Sequence, residues 1–249
     1  MPTKRKGYWA DHLYSRRNVE FGVTEFVGWQ RIIDLVRRAK VVGDLRAVPS
    51  GDRDAALIAC LFIGGFRSSE GTREYYTDSA GNELISGVRR DQVKVLRDVE
   101  NPHILFDGVM ALKGHRKIKG TDRLDETGRR RWKTIRIPLY RVFPVPLTEP
   151  SAVLDPFLHW VDGTPEGENL FPITPTRVWQ IVEDVDPTVW PHWFRAQRAS
   201  QLAREYGFDL HALMEFFQWK DPKTAVRYAS MGYQGLLSRL PTKPVARIM

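Results

Sequence analysis

His192, Arg195, Trp219 and Tyr228 fall within one stretch, HWFRAQRASQLAREYGFDLHALMEFFQWKDPKTAVRY. Between them they offer an imidazole, a permanently charged guanidinium, an indole N–H that can only donate, and a phenol. A phenol is a weak nucleophile at neutral pH. With a pKa near 10, about one part in a thousand is phenolate, a cost of about 4 kcal/mol. Tyr228 acting as a nucleophile therefore needs a proton acceptor or nearby cations that favour the anion. The same residues also have bland roles: Trp219 as core, Tyr228 as a helix packing group, H-x-x-R as a chance pairing.

The elements that would position these groups follow from local signals. His192 and Arg195 are three apart at the start of an apolar-periodic segment, which puts them on one face of a helix. Gly207 stops that helix, and a short one follows from about Asp209 to Phe217. Asp221 and Pro222 then form a cap with proline at the first helical position, so Tyr228 lies inside a fresh helix. Far upstream, residues 52–66 are apolar nearly all round, which predicts a buried central helix ended by Gly64 and Gly65. Arg67 follows at once, its guanidinium expected to point inward. A buried arginine is rare unless it is paired or holds an anion, and Glu70 is the candidate pair.

Together, RDAALIACLFIGGFRSSE and the His192–Tyr228 stretch resemble the catalytic domain of the tyrosine recombinases, the phage-integrase family. That family's signature runs H-x-x-R, then about two dozen residues to a His or Trp, then nine more to the nucleophilic tyrosine. Here Arg195 to Trp219 is twenty-four and Trp219 to Tyr228 is nine. Glycine–x–Arg–x–x–Glu matches the family's first arginine and its supporting carboxylate at Gly65, Arg67 and Glu70. The resemblance implies that Tyr228 attacks a DNA phosphodiester, Arg67 and Arg195 clamp the non-bridging oxygens, and His192 assists proton transfer or bonds one of those oxygens. Trp219 would donate to phosphate and pack the tyrosine helix. A lysine in a strand turn protonates the leaving 5′-oxygen in the family, which points here to Lys113 of LKG, with Lys117 and Lys119 as competitors. The scheme implies no metal and no other cofactor. Its partner is double-stranded DNA and its working form a homotetramer, with a monomer as the alternative when free.

The rest of the chain fits around this site. A formal charge of +8 favours a polyanionic partner. The 42% hydrophobic content with eight tryptophans is enough for a sizeable core. No apolar run reaches the length of a membrane span and no signal-peptide core opens the chain, so a non-exported, DNA-associated cytoplasmic protein is expected. The single cysteine, Cys60, excludes internal disulfides and a cysteine-based metal site. Residues 1–23 read as a basic arm, 24–240 as one catalytic domain and 241–249 as a tail. Within the domain, Thr24 opens a helix with Phe26, Trp29, Ile33 and Val36 on one stripe. Residues 74–87 read as a hairpin or insertion, and 103–113 and 132–138 as strands. Between those strands lies a basic hairpin with Lys113, Arg116, Lys117, Lys119, Arg129, Arg130 and Arg131, either a solvated charge run or a grip on DNA phosphates. After Pro138 comes a proline-rich connection, and helical patterns resume near Leu154. Residues 233–240 read as an apolar helix that docks on a neighbour or caps its own domain. The fold expected is mainly α with a small antiparallel β-sheet, an α+β class.

Full-length family members usually begin with a helical core-binding domain, for which too few residues precede Thr24. Three functions are therefore compared: a site-specific recombinase or integrase, a type IB topoisomerase-like strand transferase, and a non-catalytic DNA-binding remnant of the fold. Trp219 argues against the second, whose members normally carry histidine there.

Overall fold

In this computed structural model, residues 26–77, 83–118 and 133–229 are described, the side chains at 76, 77, 83, 111–118, 133–139, 227 and 229 excepted. The basic arm, the tip of the basic hairpin and the 233–240 segment therefore fall outside the described residues. Helix α1 (Trp29–Asp44) buries Ile32, Leu35, Val36, Ala39 and Gly43, one stripe at helical spacing. Trp29 and Ile33 flank that stripe, half-buried against the core. Helix α2 (Gly51–Ile63) has almost no polar face, and from Asp54 to Ile63 every residue is buried. It is the central post of the fold, packed by α1 and two later helices.

Gly64 and Gly65 turn the chain out of α2. Gly65 has φ +55, and a Cβ there would lie 2.4 Å from the Phe217 ring, so both the turn and the close approach require glycine. The short helix α3 (Ser68–Gly71) follows, then a hairpin of β1 (Tyr75–Thr77) and β2 (Glu83–Ile85), where the sequence predicts one. A second, antiparallel sheet has the order β3-β4-β5, from β3 (Val93–Leu96), β4 (His103–Ile118) and β5 (Lys133–Pro146). Its inner face stacks Phe106 on Phe143 (4.9 Å) and sets Phe66 against both.

Both long strands outrun the sequence-based expectation. The strand read over 103–113 continues to Ile118, and the one read over 132–138 continues through Pro146. Prolines disguised β5 as a connection. Pro138, Pro144 and Pro146 share one parity on an edge strand, where a missing N–H costs no ladder bond. The opposite parity, Arg141, Phe143 and Val145, is buried. Gly108, with φ +73, is the extra residue of a β-bulge that keeps Val109 facing inward opposite Arg141.

Among the described residues five further helices follow: α4 (Ser151–Gly163), α5 (Pro175–Val185), α6 (Pro191–Arg204), α7 (Leu210–Phe217) and α8 (Pro222–Ala229). Thr174 caps α5 and Asp209 caps α7, each through a side-chain oxygen that accepts from the helix's third N–H. The architecture is mainly α with a small antiparallel sheet, the α+β class that the sequence predicts.

Candidate active site

Glu70 is the centre of the site. Its side chain is 1% exposed and three guanidiniums surround it. Arg67 Nη1 donates to Oε1 at 2.5 Å, Arg195 Nη1 donates to Oε2 at 3.2 Å, and Arg141 Nη1 lies 3.5 Å from Oε2. The Arg67 backbone N–H adds a bond to Oε2 at 3.1 Å. Burial would raise the Glu70 pKa, but Arg195, Arg141 and Arg67 more than offset it and hold the carboxyl below its ordinary range.

Two of the guanidiniums also finish helices. The last carbonyls of a helix have no partner within it and form its negative end. Arg141 donates from Nη2 to Gly64 O (2.9 Å) and from Nε to Phe216 O (3.1 Å). Arg195 donates from Nη1 to Gly65 O (2.6 Å) and from Nη2 to Phe217 O (2.9 Å). The ends of α2 and α7 are thus tied together by two arginines on adjacent carbonyls. Burial lowers both pKa values, to about 10 for Arg141 and about 9 for Arg195, with Glu70 opposing the shift, so both stay charged at neutral pH. Three guanidiniums against one carboxylate leave a surplus of two positive charges, which the two helix ends reduce and do not cancel.

Helix α7 ends in a turn that delivers the aromatic layer. Gln218 takes φ 53, its N–H bonds Glu215 O, and Trp219 N–H bonds Met214 O at 2.8 Å, the paired bonds of a Schellman cap. Trp219 stacks on Phe217 (4.5 Å, 18°) and on Tyr228 (5.4 Å, 19°). Arg195 Cζ sits 4.7 Å from the Phe217 centroid and 5.6 Å from that of Trp219. Tyr228, half-buried on α8, is near enough for its charge to act on Arg195. Arg195 is 1% exposed beneath this layer, whereas the Arg67 side chain is 34% exposed.

His192 is exposed on the first turn of α6. The apolar surroundings of its ring, then the charges of Arg195 and Arg67, push its pKa down to about 4, with Glu70 opposing. The imidazole is therefore neutral at pH 7.

The structure therefore brings Arg67, Glu70, His192, Arg195, Trp219 and Tyr228 to one place. It puts Lys113 elsewhere than a turn: two residues, Lys113 and Gly114, sit in a second bulge of β4 between the pairs Leu112↔Pro138 and His115↔Arg136. Arg116 and Lys117 are also strand residues, and Lys119, Arg129, Arg130 and Arg131 lie outside the described residues. The site residue that sequence reasoning missed is Arg141. Its signal was available: an arginine in phase with Phe143 and Val145, on the apolar parity of an alternating strand. Among the described residues no group of His, Cys, Asp and Glu could hold a metal ion, and no helix is long and apolar enough to cross a membrane.

No family model matches the sequence. No curated protein matches it either. The solved structures it resembles include the XerH site-specific recombinase bound to its difH substrate (13% identity, TM-score 0.48, 87% of this chain and 53% of that one). The XerA recombinase superposes with TM-score 0.45 at 12% identity, over 86% and 62% of the two chains. The Tn1549 transposon integrase in complex with transposon right-end DNA gives 0.44 at 15% identity, over 86% and 65%. This chain spans between 53% and 65% of the length of those three. At that distance the functional reading rests on the site's own geometry.

Proposed function

We propose that this chain is a DNA strand transferase of the tyrosine-recombinase kind, acting on double-stranded DNA as a recombinase or integrase. One observation carries the reading: arginines more than a hundred residues apart converge, with surplus positive charge, beside a stacked tryptophan and tyrosine. A buried surplus of guanidinium charge calls for an anion, and a phosphodiester is the anion that a nearby phenol can attack.

In this scheme the Tyr228 oxygen forms a bond to phosphorus, and the bond from phosphorus to the 5′-oxygen breaks. The DNA 3′-phosphate becomes a tyrosyl ester, and the 5′-hydroxyl departs carrying a proton. Arg67 and Arg195 stabilise the charge gathering on the non-bridging oxygens. Attraction between Arg195 and Tyr228 is mutual, so the cation also favours the phenolate that must form. His192, neutral before substrate arrives, is free to accept the phenol proton or to donate to phosphate. Trp219 holds Tyr228 by stacking. Lys113 remains the first candidate donor to the leaving oxygen, with Lys117 and Lys119 as competitors on or beyond the same strand. Arg116, Arg129, Arg130 and Arg131 would grip flanking phosphates. The ester conserves the energy of the broken bond, so a 5′-hydroxyl from another strand can reverse the attack. A homotetramer on two duplexes is the assembly this exchange calls for. None of these steps uses a metal ion.

Incubation with a nicked suicide duplex in EDTA tests the reading. A covalent protein–DNA adduct that is lost in Tyr228→Phe is expected. Binding without any adduct would instead favour a non-catalytic DNA-binding protein, and relaxation of supercoils without junction formation a topoisomerase-like one.

A further inference from the structure

Arg141 and Arg195 hold the same two helix ends through neighbouring carbonyls, Gly64 and Phe216 for one, Gly65 and Phe217 for the other. Both reach the same oxygen of Glu70, at 3.5 and 3.2 Å. Their surroundings differ. Arg141 enters from β5 and is packed on Phe143 (4.4 Å), Phe66 (5.1 Å) and Phe216 (5.6 Å), in the floor of the core. Arg195 comes from α6 and lies under Trp219, with its Nε buried and without a hydrogen-bond partner. A guanidinium has five N–H donors in a fixed fork, and Arg195 commits both terminal nitrogens to Gly65, Glu70 and Phe217. Three of its five donors are thereby used, and the Nε–H and one Nη2–H remain for a phosphate while the carbonyl bonds stay made. Loss of the Arg195 or Arg141 bonds would strand carbonyls at the ends of α2 and α7 and loosen the turn that sets Trp219.

We infer that Arg141 is a positioning residue: by keeping the end of α7 docked on the Gly64–Gly65 turn, it holds Arg195 and Trp219 in place while the spare donors of Arg195 take phosphate. The inference rests on the reading of Arg195 as a phosphate ligand. Arg141 itself stays in place through the reaction. Lysine at 141 keeps a charge beside Glu70 and loses the fork that spans Gly64 and Phe216.

The test has two arms. In single-turnover reactions at saturating suicide duplex, Arg141→Lys should form adduct ~100-fold more slowly, the size of effect a misplaced group produces. Its DNA Kd should stay within about threefold of the wild type, because Arg67 remains the exposed contact. An unchanged rate, or a loss confined to Kd, overturns the inference. The second arm uses no chemistry: arginine Nε–H resonances of Tyr228→Phe are followed as intact duplex, or inorganic phosphate, is added. The Arg195 signal should move while the Arg141 signal stays. Movement of Arg141, or of neither, overturns the inference even if Arg141→Lys fails to fold. A wild type that forms no adduct would instead count against the proposed function, and the resonance arm would still decide the role of Arg141.

Discussion

Helix α6 carries two buried arginines one turn apart, and they sit in opposite kinds of centre. Arg198, 0% exposed, meets one carboxylate: Nη1 donates to Glu149 and to Gln201 Oε1 (2.7 Å), and Tyr206 OH also reaches Glu149 (3.3 Å). Charge balances there, one against one, and the rings of Phe62 and Phe216 close over it. Burial and the Glu149 charge push Tyr206 up to about 12, with Arg198 opposing, so its hydroxyl stays protonated and donates. Arg195 meets Glu70 in company with Arg141 and Arg67, and that centre opens to solvent through Arg67. Arginine at a buried position is thus no sign of function by itself. Surplus charge with a path to the surface is the distinguishing mark.

Mutations can push the two centres apart. The largest effect on stability is expected at the balanced one. Arg198→Ala strands a buried carboxylate and should cost about 3–5 kcal/mol in denaturant unfolding, whereas Arg198→Met combined with Glu149→Leu should be near neutral. At the unbalanced centre the effect should fall on chemistry. Arg67→Ala leaves Glu70 two other guanidiniums, so it should lower the adduct rate by ~10²–10³, about 3–4 kcal/mol of barrier. Its unfolding free energy should change by only about 1 kcal/mol, as for a partly exposed pair.

A smaller effect is expected with pH. The His192 imidazole, read by NMR in the free protein, should titrate near 4, far below the usual value near 6.5. Because the unfolded chain takes that proton first, stability should fall as pH drops from about 6.5 towards 4, and His192→Phe should remove that part of the slope. The smallest effect concerns the turn that sets Trp219. Gln218 is the only non-glycine residue with positive φ among those described, and Gln218→Gly should add about 0.5–1 kcal/mol to stability by relieving the left-handed strain.

Much of this site was readable in the sequence because its signals are local. The Gly64–Gly65 turn, the helix start near Asp209, the cap at Asp221, and the spacing from Arg195 through Trp219 to Tyr228 are all written in short stretches. The long strands were not, because the prolines of β5 obey edge position, a fact of sheet order that no window of sequence contains. Arg141 was hidden for the same reason: its partners are Gly64, Glu70 and Phe216, brought to it only by the tertiary fold. Lys113 shows the converse error, where a lysine–glycine pair that reads as a turn is a bulge within a continuous strand.

The most direct test is to find the bond itself. Protein incubated with suicide duplex in EDTA would be digested with nuclease and trypsin, and the peptide beginning at Tyr228 analysed by tandem mass spectrometry. A nucleotide 3′-phosphate on Tyr228 is the predicted result. Unmodified Tyr228 in protein that has bound the duplex, or a nucleotide joined to any other side chain, would contradict the account.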